Sequence, residues 1–314
     1  MATEYEAAYH IEQARLRGGI PQTDSRFTDA RMLALLTAEM QGAVAALVHA
    51  AKAEHGIVPY SVAATAGTQR YTLPPSAFAN TLRDVYWLTA DGRSTPVQQI
   101  SAADRRVYTY SGQPGINPLF YVLQGSTLIL YPTPSAAGTL AMPYYARPGT
   151  LVPVADVAQV VLVNGPGSFA VETASIPIPI LANPPTLDVV RGTPGFETLI
   201  SNSQYVVTPN SPTGGLTAYD FGGDVVVSEG DYLCLPGQSP VPQLPVELFP
   251  LLHARVAYVA VPSTGDSSQA ASALASQVED LTRRAVDFLR PRVESADIPT
   301  GRGLYENPAL RGLV

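Results

Sequence analysis

Apolar residues recur at spacings of three and four near both ends of this chain and lose that period in between. This change of period constrains the fold more than any other feature. Towards the amino terminus, TDARMLALLTAEMQGAVAALVHAAKAEHG predicts a helix from about Thr28 to Glu54. Thr28 or Asp29 caps it, Gly56 and Pro59 stop it, and Met32, Leu35, Leu36, Met40, Ala43, Leu47 and Ala50 form its stripe. At 1.5 Å per residue it is roughly 40 Å long, far above the average, so the stripe requires a partner. Towards the carboxyl terminus one helix is predicted from about Pro245 to Val261. After the break PSTGD, Asp266 or Ser267 caps a second helix to about Leu289, with Ala270, Leu274, Val278, Leu281, Ala285, Phe288 and Leu289 on one face.

The middle of the chain reads as β structure. YSVAAT, QRYTLP, LRDVYWLT, FYVLQGSTLILYP and TLAMPYYARP are short β-branched or aromatic runs between turn signals such as ADG and PTPSAAG. In STLILYP the polar and apolar residues do not alternate, which predicts a strand buried on both faces. VAQVVLVNG, SFAVETA, TLDVVRG, SQYVVTP and DVVVSEGDYLCLPG repeat the style with weaker patterning. The stretch PGQSPVPQLPVELFP carries Pro236, Pro240, Pro242, Pro245 and Pro250 and leads straight into an apolar helix. Proline is tolerated in the first helical turn, whereas the residue before a proline is pushed towards extended backbone, so the stretch marks the return from β section to helices.

The fold class expected is therefore α+β, a helical bundle from the N- and C-terminal helices with an inserted β-rich region of one or two β domains and an extended C-terminal arm. The divisions are 1–59 (N-terminal helical part), 60–150 (β domain), 151–240 (second, acidic β section), 241–294 (C-terminal helices) and 295–314 (arm). The last 20 residues, SADIPTGRGLYENPALRGLV, hold too few apolar side chains for a core of their own. They read either as a disordered terminus or as an arm that could reach about 65 Å.

Composition narrows the function. Hydrophobic residues are 46% and charged residues 14% of 314, while 29 prolines and 25 glycines call for many turns. Cys234 is the single cysteine, so an internal disulfide is excluded and a reducing compartment is expected. The start MATEYEAAYHIEQARLRGG lacks the basic and apolar regions of a signal peptide, and no apolar run comes near the roughly 20 residues of a membrane span, so a soluble protein is expected. Residues 1–159 hold 11 acids and 11 bases, residues 160–240 hold 7 acids and only Arg191, and residues 241–314 hold 8 acids and 7 arginines. No basic stripe is available to neutralise phosphates, which argues against tight nucleic-acid binding. Lys52 is the only lysine, and the other 18 cations are arginine.

No catalytic, cofactor or metal signature is present: no GxSxG, HExxH, Walker loop, dinucleotide fingerprint or CxxC. NGPGS, Asn164 to Ser168, has the glycines of a phosphate loop but neither its lysine nor its helix, and reads as a hairpin turn. His49 and His55 lie about 240° apart around a helix axis and cannot share a metal. His10 completes the set with His253, which reads as a satisfied surface or interface histidine. Glu279 and Asp280 precede Arg283 and Arg284 as a solvated face with helical ion pairs.

The order of these elements also carries a resemblance. The segment from Phe27 to Gly92, with Tyr71 to Pro74 closing one strand and Leu82 to Val85 opening the next, resembles the N-terminal half of bacteriophage head-to-tail adaptor (connector) proteins, including the tail tubular proteins of short-tailed phages. STLILYPTPSAAGTLAMPYYARPGTLV is similar to that family's hairpin, with Leu130 to Pro134 at the turn and Tyr144 and Tyr145 on the strand. GDYLCLPGQSPVPQLPVELFPLLHARVA looks like its link to the C-terminal helices. Together these cover most of residues 27–290. The resemblance implies a structural virion protein at the neck, assembled in the host cytoplasm. It implies a ring, usually of twelve copies, beneath the portal protein, with tail or nozzle protein and tail fibres as further partners and DNA passing through without specific binding. It implies no enzyme activity and no cofactor. The C-terminal arm is then expected on the portal, through Arg302, Leu304, Tyr305, Leu310 and Val314. The extended 160–240 section departs from the pattern and leaves two other readings open: a tail nozzle or fibre-docking protein, and a tail-associated polysaccharide hydrolase.

Overall fold

A computed structural model describes residues 5–50, 57–74, 76–104, 117–165, 168–172, 187–192, 198–200, 208–209, 216–220, 227–261 and 268–289. The fold is α+β, with helices towards both ends and mostly antiparallel sheets between them. The predicted stop at Gly56, the cap at Asp266 or Ser267 and the arm at 295–314 lie outside the described residues, as does His55.

One helix was not anticipated. Helix α1, Ala7–Gly18, ends on Gly19 in the left-handed conformation at φ 60°, with Arg15 and Arg17 in its last turn. Ala7, His10, Ile11 and Ala14 are its buried face. That spacing of three and four was legible in AAYHIEQARLRGG, but its polar composition masked it.

Helix α2 runs Asp29–Ala50, with the Thr28 hydroxyl accepting from the Arg31 N–H at 3.3 Å as its cap. Its buried residues are Met32, Leu36, Met40, Val44, Ala45 and Val48. The predicted stripe holds as far as Met40 and is then displaced by one residue, because Ala43 and Leu47 are only half-buried. The cause is a π-helical turn at Met40–Val44. In a regular α-helix every fourth position drifts by about 40°, so five such positions would wind off the core by about 160°. One π turn accommodates an extra residue and returns Val44 and Val48 to the inner face. Contrary to expectation, α2 is long and apolar enough to cross a membrane by length and composition, although a third of its apolar window is buried inside this fold.

Helix α3, Phe249–Ala260, begins after a short 3₁₀ turn with Pro250 in its first turn, as the proline argument requires. Helix α4, Ser268–Leu289, turns Leu274, Ala285 and Leu289 inward and leaves Ala270 exposed, against expectation. Its outer face carries the anticipated ion pairs Glu279–Arg283 at 3.2 Å and Asp280–Arg284 at 2.7 Å. All four helices contribute to one apolar cluster that includes Ile11, Leu36, Met40, Leu252, Val256 and Leu289.

The first β section is built around the only tryptophan. A four-stranded sheet orders Ser61–Ala64, Gly138–Ala141, Tyr86–Leu88 and Ser94–Pro96. A second orders Arg70–Thr72, Thr127–Tyr131, Phe120–Gln124 and Gln98–Gln99. Trp87, Leu140, Tyr71, Leu128 and Leu130 from the two sheets share one core. Strand Thr127–Tyr131 is buried on both faces as anticipated: Leu128 and Leu130 enter this core, while Ile129 and Tyr131 pack with Val122 on the other side.

In the second β section the described residues form a seven-stranded antiparallel sheet, in the order Thr198–Ile200, Asp188–Val190, Tyr232–Cys234, Ala158–Gly165, Ser168–Glu172, Leu216–Asp220, Thr208–Pro209. Gly165 pairs with Ser168, so NGPGS joins two antiparallel strands as a hairpin. Two of the seven acids here are structural. Asp231 is 2% exposed and accepts from the N–H groups of Gly192 and Ser228, and Asp188 accepts from Gly237 N–H at 2.8 Å.

Candidate functional site

The proline-rich stretch turns out to be a buried joint. Residues 239–244 are all buried. Gln238–Ser239 pairs in parallel with Thr150–Leu151, so the segment leaving the first β section runs beside the segment returning from the second. Leu151, Leu244 and Leu248 enter the helical cluster, while Val152 and Val241 enter the cluster under the seven-stranded sheet with Tyr232 and Cys234. Proline suits such a place, since a buried extended segment needs few N–H partners when several of its residues have none.

Polar side chains from α2 lock this joint. The Thr37 hydroxyl accepts from Leu151 N–H at 3.1 Å, and Gln41, in the π turn, donates to the Pro148 carbonyl at 3.0 Å. Gln243 accepts from Gly149 N–H, and Ala7 N–H donates to the Pro240 carbonyl at 2.9 Å. At the far end of α2, His49 meets Tyr145 edge-on at 5.0 Å, which holds the first β section against the helix.

Beside the joint lies an open groove of about 850 Å³ between α1, the start of α2 and residues 152–156. Glu6, Glu12, Asp29 and Asp156 line it together with one guanidinium, Arg15, which is bonded to Asp29 at 2.8 Å and to the Phe27 carbonyl. Its negative balance repels phosphate.

Two histidines from distant parts of the sequence meet among the helices. His10 of α1 and His253 of α3 are both buried, and His10 Nδ1 lies 2.8 Å from His253 Nε2. Burial pushes His10 down to about 4, against a weaker opposing effect of a backbone hydrogen bond at Tyr5. Burial, then the charge of His10, then that of Arg17 push His253 down to about 3. His253 is thus an interior residue, not a surface one. Its partner lies 243 positions away, a separation that no local pattern reveals.

Among the described residues no group of three His, Cys, Asp or Glu side chains could hold a metal. Cys234 is buried and its thiol is pushed strongly upward, chiefly by desolvation, which keeps it unreactive. The expected portal-interface residues Arg302, Leu304, Tyr305, Leu310 and Val314 lie outside the described residues. Leu289, the last described position, is buried in the helical cluster, so the chain leaves for that segment from a fixed point.

Comparison with protein families gives a match to the model described as SU10 adaptor protein over residues 11–175, just over half of the 314. The matched stretch takes in α1 from Ile11 onward, α2, the first β section, the Thr150–Leu151 strand of the joint and the first hairpin of the seven-stranded sheet. Comparison with curated proteins finds no match.

Proposed function

The chain belongs to the SU10 adaptor protein family, a phage structural family, and from that premise we propose that it is one subunit of a ring that docks beneath the portal and forms part of the DNA channel at the virion neck. The observation that carries the ring is the outer face of α2. Positions two residues from the buried Met32, Leu36, Met40 and Val44 lie about 200° round the helix. They are Ala30, Ala34, Ala38, Gly42 and Ala46, all small and all exposed. A Cβ placed on Gly42 would meet nothing within 4 Å, so this side is left uncovered by the described residues. A helix with large residues inward and small ones outward lets a neighbour's helix approach at the short end of the usual 8–10 Å separation. Repeated with a constant rotation, one such contact closes a ring.

The helical elements from both ends then form the stave of that ring, a bundle whose β sections project towards other tail components. Residues 295–314 serve as the arm: Arg302 suits a bidentate contact with a portal carboxylate, and Leu304, Tyr305, Leu310 and Val314 are apolar anchors. Each buried anchor gives about 1.5–3 kcal/mol, and many arms acting together make a firm joint from weak ones. DNA slides past without being gripped, in keeping with the absence of a basic stripe. Of the section's seven acids, Asp188 and Asp231 are committed to backbone amides, which leaves Glu172 and Glu229 among the described exposed ones.

The test is the native mass and negative-stain image of the full-length protein mixed with portal. Portal-bound rings are expected from the wild type. A folded Ala34→Glu/Ala38→Glu variant is expected to reach the portal without closing a ring, and deletion of 295–314 is expected to abolish portal attachment. Attachment that survives the deletion would instead favour the nozzle or fibre-docking role.

A further inference from the structure

Among the described residues His10 and His253 are the two buried imidazoles, and they come from helices near opposite ends of the chain. We propose that they form a proton-gated clasp, which holds α1 on α3 while the two rings share one proton and releases α1 on acidification with the β sections still folded.

The geometry leaves no place for a second proton. At 2.8 Å one ring must donate and the other accept, so the pair is bonded only when the shared edge carries a single hydrogen. Protonation of both rings sets two donors, and two positive charges, against each other at that distance. The remaining ring nitrogen of His10 is buried without a partner, so a proton arriving there is neither solvated nor bonded. The Phe249 ring stands edge-on to His10 at 4.5 Å and offers no counter-charge.

The charged neighbours reinforce this. On α1, Tyr9 flanks His10, Glu6 accepts from the backbone N–H of His10 through its own backbone carbonyl, and Arg17 acts on His253 with the same sign as an added proton. Arg15 is turned to Asp29 at the start of α2. On α3, Arg255 is held by Glu39 of α2 at 2.7 Å. The proline-rich segment 236–245 has no ionisable side chain. Among the described residues no carboxylate is bonded to either imidazole, and the backbone hydrogen bond at Tyr5 favours the His10 proton less than burial disfavours it.

The direction in pH follows. Free imidazoles charge near 6.5, whereas these stay neutral to about 4 and about 3. Between those limits the released state binds more protons, so docking of α1 weakens as pH falls from about 6.5 and the loss is complete below the docked values. Besides the imidazole pair, α1 is held by Ile11 and Ala14 in the cluster, by the Arg15 guanidinium bonded to Asp29 and to the Phe27 carbonyl, and by the bond from Ala7 to Pro240.

Hydrogen exchange of the full-length protein tests this, corrected for the intrinsic pH dependence of exchange, with Trp87 emission as an independent reporter of the first β section. Between pH 6.5 and 4 the amides of Ala7–Gly18 are expected to lose at least tenfold protection while Trp87 emission stays constant. Protection of α1 unchanged to pH 4, or lost together with the Trp87 signal, overturns the proposal. A His10→Gln/His253→Gln variant that keeps α1 docked is expected to show no such window, and a window of wild-type size there also overturns it. Should that variant fail to dock α1 at neutral pH, the wild type's histidine Cε1–H resonances decide: a midpoint near 6.5 for either ring refutes the clasp, and midpoints below 5 for both support it.

Discussion

Gln243 accepts a hydrogen bond from the backbone N–H of Gly149 at 2.6 Å and so joins two buried segments 94 residues apart in sequence. One segment leaves the first β section and the other returns from the second, and both lie against α2. The joint that places three parts of the molecule thus rests on a side chain in the middle of a proline-rich run.

Gln243→Leu preserves approximate volume and removes the acceptor. The Gly149 N–H is then buried without a partner, which costs about 1–3 kcal/mol. Urea denaturation should show a lower midpoint with an unchanged slope.

Gly138 lies under the indole of Trp87. A Cβ there would stand 2.6 Å from the ring and 2.8 Å from the Leu88 carbonyl, and that carbonyl is backbone and cannot swing away. Gly138→Ala is expected to destabilise the protein by roughly 1–3 kcal/mol through overpacking. As Trp87 is the only tryptophan, its emission reports the site directly, and a red shift in the native state is expected.

The π turn makes an unusual forecast about deletions. Removing Gly42 turns the five-residue π turn into an ordinary α turn and leaves Val44 and Val48 facing inward. Removing Ala46 rotates Val48 by about 100° out of the core, at a cost of about 1.5–3 kcal/mol. Thermal melts followed by circular dichroism should place the Gly42 deletion close to the wild type and the Ala46 deletion well below it.

Asp231 serves two backbone amides and faces Arg191 at 3.5 Å. Asp231→Ala leaves both N–H groups without their acceptor and should cost about 3 kcal/mol, since bonds to a charged group run to about 1.5–3 kcal/mol each. Asp231→Asn keeps one acceptor oxygen and should lose less. Chemical denaturation of the two variants side by side checks the order.

Much of this was open to reading from local pattern. The period of three and four named the face of α4 apart from Ala270. The missing alternation in Thr127–Tyr131 announced a strand covered on both sides, and the prolines marked the return to helix. Each of these depends only on neighbours within a turn or a strand. The roles of Asp188 and Asp231 were not legible for the opposite reason: only the tertiary structure brings Gly237, Gly192 and Ser228 to them and makes them interior.

By itself the chain's order of apolar residues set the expectation that helices from the two ends share a core, because an amphipathic stripe has to be covered. What the order could not set was the phase of α2 beyond Met40, the meeting of His10 with His253, or the burial of the proline-rich joint. Those were decided by packing, where one added residue in a turn rotates everything after it and where the partner of a buried polar atom can lie anywhere along the chain.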